Sequence, residues 1–464
     1  MLLSFSVSNF RSFREKQTLS MVASNRHADH QDHLTAIPGD ENKALPVAAL
    51  YGANAAGKSN LVKALRLLQD LVINGTEPGK PITRSAFALD RESKKRPTEM
   101  EVQFVTMGKA YVYGVKFLDN IVEEEWLSEL HKRGERLVFE RKTDKSLRTS
   151  IHRARAKAEN QKKLQALTTV GVPPNQLFLH AVGRNLAPLD RGPIFEAVLD
   201  WFVNRLLVIV PSSRFMDLAG VLSRDDSLST FAGEFLRNVA TGISALRTET
   251  SLVDEKLIKP SIPRELIDTL PPGQTLNVFG PELAVEKVTD GKLLLREVKS
   301  EHVTAQGDRV DMALSEESDG TRRLLHLLPA LHAQKQRTGR VFVVDEIDRS
   351  LHPLLAKGFV RHFVKECAGH GGQIIFTTHD TAFLDLDLLR RDEIWFAEKK
   401  LPAGATELYS LSEFKVRTDL KIDKAYLQGR FEAIPPIEVE VPDWVRQTIN
   451  ELRPTAREKK KVPK

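Results

Sequence analysis

The stretch that decides the fold is a short glycine-rich segment directly after the apolar run Val47–Leu50. It reads Gly52-Ala53-Asn54-Ala55-Ala56-Gly57-Lys58-Ser59 and is followed by Asn60. The pattern matches the phosphate loop G-x-x-x-x-G-K-[ST], which lies between a strand and a helix. Backbone N–H groups of such a loop surround phosphate oxygens, and the N-terminus of the next helix adds partial positive charge. The pattern therefore predicts that residues 52–60 bind a nucleoside triphosphate.

Two side chains of this loop have expected roles of their own. Lys58 is expected to reach the β- and γ-phosphates, and the Ser59 hydroxyl to bind Mg²⁺. An Asn-Lys-x-Asp guanine motif does not follow the loop, which favours ATP over GTP. The predicted cofactors are therefore ATP and Mg²⁺.

A second strand pattern ends in two carboxylates. The apolar run Val341–Val344 is followed directly by Asp345 and Glu346. Asp345 is a candidate Mg²⁺ ligand, directly or through water, and Glu346 a candidate for polarising the attacking water. The alternative is a solvated acidic turn after a core strand.

A third strand pattern, Gln373–Thr377, is followed closely by His379. Ligands of α/β sheets bind at the carboxyl ends of strands, so His379 is a candidate sensor of the γ-phosphate. A lone histidine is more often structural, and that alternative stays open.

A hydroxyl-rich turn opens an apolar helix farther along the chain, with the sequence Ser318-Asp319-Gly320-Thr321. Such a turn is an anion site in its own right. Since one nucleotide does not need two triphosphate sites in one chain, this turn is expected to cap the γ-phosphate of ATP held by another protomer. An ordinary helix N-cap is the alternative.

The order of these four segments resembles an ABC-type ATPase head of the SMC/RecF/OLD clade. In that clade the segments are Walker A, signature, Walker B with D-loop, and switch histidine, and the resemblance implies that Asp348 is the D-loop aspartate. The opening Asn9–Phe13 is similar to the N-terminal motif of SMC-like repair ATPases. That similarity implies that Arg11 and Ser12 lie against the nucleotide.

The C-terminal part carries a second resemblance. Arg391–Lys399 and Tyr426–Phe431 are similar to the end of bacterial AAA-domain ABC ATPases from anti-phage operons, a group that includes the ATPases of the Septu and PARIS systems and the RloB-associated ATPases. Two features depart from the ABC pattern. The signature reads Ser-Asp-Gly-Thr rather than Ser-Gly-Gly-Gln, and the Q-loop glutamine has only Gln103 and Gln176 as candidates.

Composition and cysteine content limit the class of protein. The 464 residues are 41% hydrophobic and 28% charged, which is ordinary for a globular chain of two or three domains. Cys367 is the only cysteine, so a disulfide framework is not expected and a cytoplasmic location is favoured. No apolar run approaches the roughly 18 residues of a membrane span, and no heptad run suits a long coiled-coil arm.

The motifs and the resemblance together predict an α/β protein with an ABC-type ATPase head. In it, a P-loop parallel sheet with flanking helices is joined by N-terminal antiparallel strands. The head is expected in two parts, 1–125 with Walker A and 311–400 with the signature, Walker B and switch histidine. Residues 126–310 are expected to form an inserted lobe of helices and strands. Residues 401–464 are expected to form a small C-terminal segment with a basic tail.

Two polar segments are separate from the ATPase motifs. Lys132–Lys163 contains 12 Lys and Arg against four Asp and Glu, and includes Arg153, Arg155 and Lys157. This stretch is a candidate site for nucleic acid or an acidic partner, or else a solvated helix face. His27–His33 contains three histidines and two aspartates, a pattern that suits either a metal site or, as the favoured interpretation, an exposed polar loop.

The predicted function is that of an ATPase that hydrolyses ATP slowly. It would be the sensor or scaffold of a multi-protein anti-phage system and would control a separate effector, either a nuclease of HNH or TOPRIM type or a toxin. The resemblance implies a homodimer with composite ATP sites, or a larger ring. A phage trigger protein and nucleic acid are further candidate partners. The 85 residues after His379 lack TOPRIM carboxylates, so the chain itself is not expected to be a nuclease. The alternative is a RecF-like DNA-repair clamp that binds DNA directly.

Overall fold

The structure is a computed structural model that describes residues 1–153, 162–210, 218–239, 241–253, 270–271, 273, 275–277, 282–288, 290, 292–335, 339–367, 369–415, 420–431 and 433. The expected basic residues Arg155 and Lys157 and the tail Arg457–Lys464 lie outside this set. Within it, no helix is both long and apolar enough to cross a membrane.

The strands of the described residues are, in chain order, β1 (Leu2–Ser8), β2 (Gln17–Ser20), β3 (Thr35–Ala36), β4 (Lys43–Ala44), β5 (Val47–Tyr51), β6 (Thr98–Thr106), β7 (Lys109–Phe117), β8 (Val122–His131), β9 (Gly134–Thr143), β10 (Thr149–Arg153), β11 (Leu206–Ile209), β12 (Ile243–Leu252), β13 (Thr275–Asn277), β14 (Leu283–Lys287), β15 (Leu293–Val303), β16 (Arg309–Ala313), β17 (Val341–Val344), β18 (Gln373–Thr377), β19 (Ile394–Lys400) and β20 (Ala405–Ser410).

The α-helices of the same residues are α1 (Lys58–Ile73), α2 (Lys162–Val170), α3 (Phe178–Asn185), α4 (Pro188–Arg191), α5 (Pro193–Asp200), α6 (Leu218–Arg224), α7 (Asp226–Asn238), α8 (Asp319–Lys335), α9 (Pro353–Cys367) and α10 (Ile422–Leu427). A π-helix, Trp201–Arg205, joins α5 to β11, and a 3₁₀ turn covers Gln31–His33.

A seven-stranded antiparallel sheet dominates the N-terminal third, in the order β10-β9-β8-β7-β6-β1-β2. The hairpin expected from the patterns at 100–106 and 110–118 is β6 and β7. Its turn, Met107-Gly108, has φ of 46° and 73°, and positive φ at both positions is what a two-residue type I′ turn requires. Since β8–β10 extend this sheet, the antiparallel layer is larger than residues 1–125.

The P-loop strand lies inside a six-stranded sheet with the order β11-β17-β18-β5-β19-β20. The first five of these strands are parallel, and β20 pairs antiparallel with β19 at one edge. Because carboxyl ends of parallel strands share one edge, the segments after β5, β17 and β18 meet there. The three strands that sequence patterns predicted at 47, 341 and 373 are therefore neighbours.

Two apolar cores cover the faces of this parallel sheet. Alternate residues of β5 face opposite sides, so Ala48 and Leu50 belong to one core while Val47 and Ala49 belong to the other. The first core contains α1 and the antiparallel sheet, and the second contains α8 and α9. The α1 helix is therefore packed between two sheets, which fixes the P-loop at its N-terminus.

Sheet membership does not follow the expected boundaries at 126 and 310. Residues 126–153 belong to the antiparallel sheet, and β11 pairs with β17 in the parallel sheet. A third sheet has the order β12-β15-β14-β13, with β16 on β15, and it packs against α6 and α7. The composition of Ser150–Leu167, which includes five of the basic residues, predicts a helix, but Thr149–Arg153 is strand β10 and helix α2 starts only at Lys162 in the described residues.

Candidate functional site

The phosphate loop joins β5 to α1 in the expected setting. All five residues of β5 are buried, and α1 begins at Lys58. Gly57 has φ of 112°, and a Cβ there would lie 2.2 Å from Thr406 Oγ1 and 2.7 Å from Ser12 Oγ. Glycine is therefore required at this position both by the backbone conformation and by the close approach of neighbouring chain. The first N–H groups of α1 have no intrahelical partner, which suits them to phosphate oxygens.

The Lys58 side chain folds back over the loop. Its Nζ donates to the carbonyl oxygens of Gly52 at 2.7 Å and Ala53 at 3.1 Å. Burial lowers the pKa of Lys58 to about 8, although Asp345, Asp348 and Glu346 all act to raise it. An ammonium has three donors, so one N–H remains for an anion in this geometry. The buried, weakly paired cation therefore fits a polyphosphate that would restore its charge.

Three side-chain oxygen atoms, from the P-loop helix and from the ends of β17 and β18, lie close together beside the loop. Ser59 Oγ donates to Asp345 Oδ1 at 3.0 Å, and Thr377 Oγ1 donates to the same oxygen at 2.6 Å. Two Mg²⁺ ligands at right angles, each about 2.1 Å from the ion, are about 3 Å apart. The separation of the Ser59 and Asp345 oxygens therefore fits a shared Mg²⁺, and hard oxygen donors are the type this ion prefers.

Glu346 directly follows the buried Asp345 at the end of β17. Its φ is 52°, and its N–H donates to Thr377 Oγ1 at 2.8 Å. The Glu346 side chain is 40% exposed, and its ion-pair contact is Arg349 at 3.7 Å. A partly exposed carboxylate one residue after Asp345 is a candidate for polarising a water molecule.

His379 follows β18 at the same edge and contacts the loop after β17. Its backbone N–H donates to Asp348 Oδ2 at 3.3 Å. Burial is the main cause that lowers the pKa of His379 below 6.5, and the Lys58 charge lowers it further. The imidazole is therefore neutral at neutral pH and has one donor and one acceptor nitrogen. The structure brings Lys58, Asp345, Asp348 and His379 to one edge of the parallel sheet.

Ser12 lies directly against the P-loop, whereas Arg11 lies on the surface beside it. Ser12 Oγ accepts from Asn60 Nδ2 at 2.8 Å and lies 2.7 Å from Thr406 Oγ1. The exposed Arg11 has φ of 52°, and its guanidinium lies 5.6 Å from the centroid of the Phe10 ring. The Ser12 hydroxyl therefore braces the start of α1, whereas the Arg11 guanidinium contacts the Phe10 ring.

The turn 318–321 begins α8 as an ordinary N-cap within its own chain. Ser318 Oγ accepts from the Thr321 N–H at 3.1 Å and lies 2.9 Å from Thr321 Oγ1. Asp319 is 77% exposed at its side chain and pairs with Arg322. Among the described residues, no hydrogen bond joins this turn to the P-loop. The turn lies instead next to the D-loop, since a Cβ on Gly320 would lie 2.6 Å from the Ser350 carbonyl oxygen.

Three further residues organise the site although their sequence context carries no motif. The Arg323 guanidinium is buried and donates to the carbonyl oxygens of Asp345 at 3.0 Å and Glu346 at 3.2 Å. Burial is the main cause that lowers the pKa of Arg323. Thr377 bridges Asp345 and Glu346, and Thr406 Oγ1 donates to the Ala56 carbonyl oxygen at 2.7 Å. In the sequence, only the pair Thr377-Thr378 directly before His379 could have pointed to a role for Thr377.

The two candidate Q-loop glutamines are engaged elsewhere. Gln103 lies within β6, opposite Ser4 and Val112. Gln176 Nε2 donates to the Thr76 carbonyl oxygen at 2.6 Å, beyond the C-terminal end of α1. Neither residue contacts the P-loop in the described part of the chain, so the structure supplies no Q-loop residue from this pair.

The fold and this edge together define a P-loop ATPase head of the ABC type, as the sequence predicted. The sequence model of a family described as "AAA domain, putative AbiEii toxin, Type IV TA system" matches residues 47–161 and 184–385. These segments cover more than half of the chain and contain the P-loop, Walker B strand and switch histidine. The chain belongs to this family. No curated protein matches it.

Solved SMC head domains are similar at low identity. The SMC head domain of Thermotoga maritima is 12% identical, with 88% of this chain and 98% of that chain covered and a TM-score of 0.35. An SMC head bound to the C-terminal winged-helix domain of ScpA is 11% identical, with 88% and 97% covered and a TM-score of 0.38. A Pyrococcus furiosus SMC head bound to the C-terminal domain of ScpA is 14% identical, with 88% and 96% covered and a TM-score of 0.36. At these scores the likenesses carry no argument about function.

Proposed function

We propose that this protein is a slow ATPase that works as a homodimer and controls a separate effector of an anti-phage defence system. The observation that carries the ATPase part is the convergence of Lys58, Ser59, Asp345 and Thr377 at one edge of the parallel sheet. Membership of an AAA-domain family supports the same activity. The family description names a type IV toxin–antitoxin system, which supports a role in defence.

The chemistry divides among the residues of this edge. Lys58 and the first N–H groups of α1 bind the β- and γ-phosphates. Ser59 and Asp345 would hold Mg²⁺, and the ion would supply positive charge against the phosphates. Glu346 accepts a proton from the attacking water, and neutral His379 donates a hydrogen bond toward the γ-phosphate. The Asn60–Ser12–Thr406 hydrogen bonds keep the loop in place.

The signature turn serves the nucleotide of the partner protomer. In its own chain the turn makes N-cap bonds and lies next to the D-loop, away from the P-loop. The exposed Asp319 side chain and the N-terminus of α8 form a surface that a second head can cover with its bound ATP. A symmetric dimer built this way has two composite sites, each with one P-loop and one signature turn.

Mixing two inactive variants tests this sharing in trans. Lys58→Ala removes the phosphate-binding cation, and Asp319→Tyr places a bulky ring at the exposed signature surface. Gly320→Asp is less selective, because its Cβ would press on the carbonyl oxygen of Ser350 in the same chain. If sites are shared, an equal mixture of the two variants recovers about a quarter of the wild-type ATPase sites, because half of the dimers have one intact site.

Activity in the mixture equal to the sum of the two separate variants would contradict sharing. A wild-type protein that stays monomeric with ATP and Mg²⁺ by light scattering, and still hydrolyses ATP fully, would contradict it as well. Arg66→Ala, on the exposed face of α1, is the control that should leave the wild-type rate unchanged.

The effector part of the proposal rests on positive charge at the surface of the chain. Lys132, Arg133 and Arg136 are all exposed at the turn between β8 and β9. This turn joins the end of β8 to the start of β9 and belongs to the described part of the basic stretch Lys132–Lys163. An acidic face of an effector, or nucleic acid, is the ligand that such a cluster attracts.

Charge reversal at the turn tests that surface. Lys132→Glu with Arg136→Glu should weaken retention of the effector encoded beside this gene, with ATP hydrolysis unchanged. Lys421→Glu with Lys424→Glu is the control, because both lysines are exposed and lie far along the chain on α10 or next to it. Full protection of cells from phage by this protein alone would contradict a two-component system.

The second candidate function is a DNA-repair clamp, and the same exposed basic turn favours it. A clamp would bind duplex DNA tightly, only with ATP, and with an affinity that falls steeply as salt rises. Filter binding across a salt series, with wild-type and charge-reversed protein, separates the two functions. Tight ATP-dependent binding that the charge reversal abolishes would favour the clamp over the defence ATPase.

A further inference from the structure

The sequence favoured an exposed polar loop for His27–His33, but this segment is partly buried against residues 386–393. His33 is buried, and it lies within the 3₁₀ turn Gln31–His33. The ligand atoms of His30, Asp32 and His33 all lie within 4.8 Å of one another. The rings of His30 and His33 are stacked, with centroids 4.6 Å apart. Two imidazoles and one carboxylate are a donor set typical of zinc and related divalent metals.

One polar contact of each histidine indicates which ring nitrogen has a free lone pair. His30 Nε2 lies 2.7 Å from the Leu386 carbonyl oxygen, which only accepts, so Nε2 carries the proton and Nδ1 has a free lone pair. His33 Nδ1 faces the fully buried Glu393 Oε1 at 3.5 Å. A proton on Nδ1 toward that carboxylate leaves His33 Nε2 with the free lone pair.

This is the arrangement in which histidines bind metals. A metal-ligating imidazole donates its other N–H to a carboxylate or a backbone carbonyl, which fixes the tautomer and the ring orientation. Leu386 supplies the carbonyl and Glu393 the carboxylate. His33 Nδ1 and Glu393 Oε1 are both buried and neither makes a hydrogen bond among the described residues, so their 3.5 Å approach is an ion-pair contact. Two buried polar atoms thus have no assigned role besides orienting the His33 ring.

The backbone around the cluster is held in place by a separate network. The fully buried Arg390 donates to the carbonyl oxygens of Asp29 and of His27, and it pairs with Asp392 at 2.9 Å. Asp392 Oδ2 in turn accepts from the Ser24 N–H at 2.7 Å. The 24–33 segment is therefore fixed against residues 386–393 without help from the cluster, so its ligands are preorganised.

We propose that His30, Asp32 and His33 bind a divalent transition metal of the Zn²⁺ type, with Leu386 and Glu393 orienting the two imidazoles. Three protein ligands leave a fourth position for water. All three ligands lie in the segment before the P-loop strand, and the two imidazoles connect the metal to the segment between His379 and β19 through Leu386 and Glu393. Its role is to stabilise that junction, and it is separate from the Mg²⁺ that accompanies ATP.

The test is Zn²⁺ binding to full-length, nucleotide-free protein, measured by competition with a chromophoric chelator. Wild-type protein should bind one equivalent, and Asp32→Asn should weaken binding by at least about tenfold. Asp29→Asn is the matched control, because Asp29 is an equally exposed carboxylate three residues away and outside the cluster. Binding should also survive Asp345→Asn, which separates this site from the ATP-linked one.

A histidine variant that respects the backbone gives a second arm. His30 has φ of 46°, a conformation that asparagine tolerates, so His30→Asn removes the ligand without straining the turn. It should abolish the rise in unfolding temperature that Zn²⁺ produces in the wild type. Zn²⁺ affinity that is the same in wild type, Asp32→Asn and His30→Asn, or a wild type that binds no Zn²⁺, would overturn the proposal.

Discussion

The sequence predicts an anion site at both the P-loop edge and the signature turn, but the two regions differ in burial and in how their polar groups are paired. At the P-loop edge, Lys58 is buried with a lowered pKa, and three segments direct oxygens at one point. At the signature turn, the Ser318 and Thr321 hydroxyls bond to each other and Asp319 is exposed. At the P-loop edge the side chains are in place, but the buried Lys58 charge has no full counter-charge, so we call this region unbalanced. At the signature turn the polar groups bond to one another, and no described nucleotide-binding group of the same chain lies against them. Under the proposed sharing in trans, a single chain builds the P-loop half of each site and leaves the signature turn for the nucleotide of its partner.

The largest expected effect is loss of nucleotide binding on removing the P-loop cation. Lys58→Ala deletes the buried ammonium that opposes the phosphate charges, so ATP affinity should fall by about a hundredfold or more. A fluorescent ATP analogue measures this directly. Lys63→Ala, an exposed lysine one turn farther along α1, is the control and should bind as wild type. Comparable binding by both variants would mean that the P-loop edge is not the assembled half.

The next effect separates binding from hydrolysis. Glu346→Gln keeps the shape of the side chain but removes its basicity, so ATP should bind normally while kcat falls about a hundredfold or more. Steady-state hydrolysis and nucleotide binding, measured on the same preparation, give both quantities. An unchanged kcat would remove Glu346 from the role of general base. Glu407→Gln, exposed on β20, serves as the control.

A smaller effect is expected at the link between the two regions. Arg323 lies on the signature helix and bonds to the carbonyl oxygens of Asp345 and Glu346. Arg323→Ala leaves those carbonyls without these donors, which costs about 1–3 kcal/mol of stability. It should lower kcat about tenfold, with ATP affinity nearly unchanged, because the carboxylates lose their positioning.

The matched control for this link is Arg322→Ala. Arg322 is the neighbouring arginine, and its side chain pairs with the exposed Asp319 instead of the Walker B backbone. Equal loss of kcat in both arginine variants would mean that the effect comes from the helix N-terminus and not from the contact with Asp345 and Glu346.

The smallest expected effect is a proton linked to ATP binding. Lys58 has a pKa of about 8 without nucleotide, and phosphate charges favour its protonated form, so binding raises that pKa. At pH 9 the free protein has mostly neutral Lys58 and must take up a proton on binding, and at pH 6.5 it does not. ATP affinity should therefore decline as pH rises above 8, by up to about tenfold per pH unit.

Calorimetry in two buffers of different ionisation enthalpy measures this proton uptake. Uptake should approach one proton at pH 9 and be near zero at pH 6.5. Lys58→Arg removes the titration because a guanidinium stays charged. Equal uptake at both pH values would contradict the unbalanced condition of the P-loop edge.

Sequence patterns were sufficient for three central strands of the parallel sheet, β5, β17 and β18, because each is short, apolar and closely followed by a motif. The strands at 47, 341 and 373 are present as predicted, and so is the hairpin at 100–118. Prediction was poorer between 126 and 310. There the strands β8 to β10 contain many charged and polar residues, and nothing local indicates which sheet they join. The shared sheet membership of β11 and β17 depends on pairing across more than 130 residues.

The sequence by itself determined where the phosphate loop, Asp345, Glu346 and His379 lie, because each follows within a few residues a strand that sets its position. Only the tertiary structure decided that Thr377 links the Asp345 carboxylate to the Glu346 backbone N–H, that Arg323 joins the backbone carbonyls of these two residues to α8, and that His33 faces Glu393. These contacts join residues 22 to 360 positions apart and use side chains common in structural roles. Local spacing carries no signal for such pairs, since only the packing of the sheets and helices brings them together.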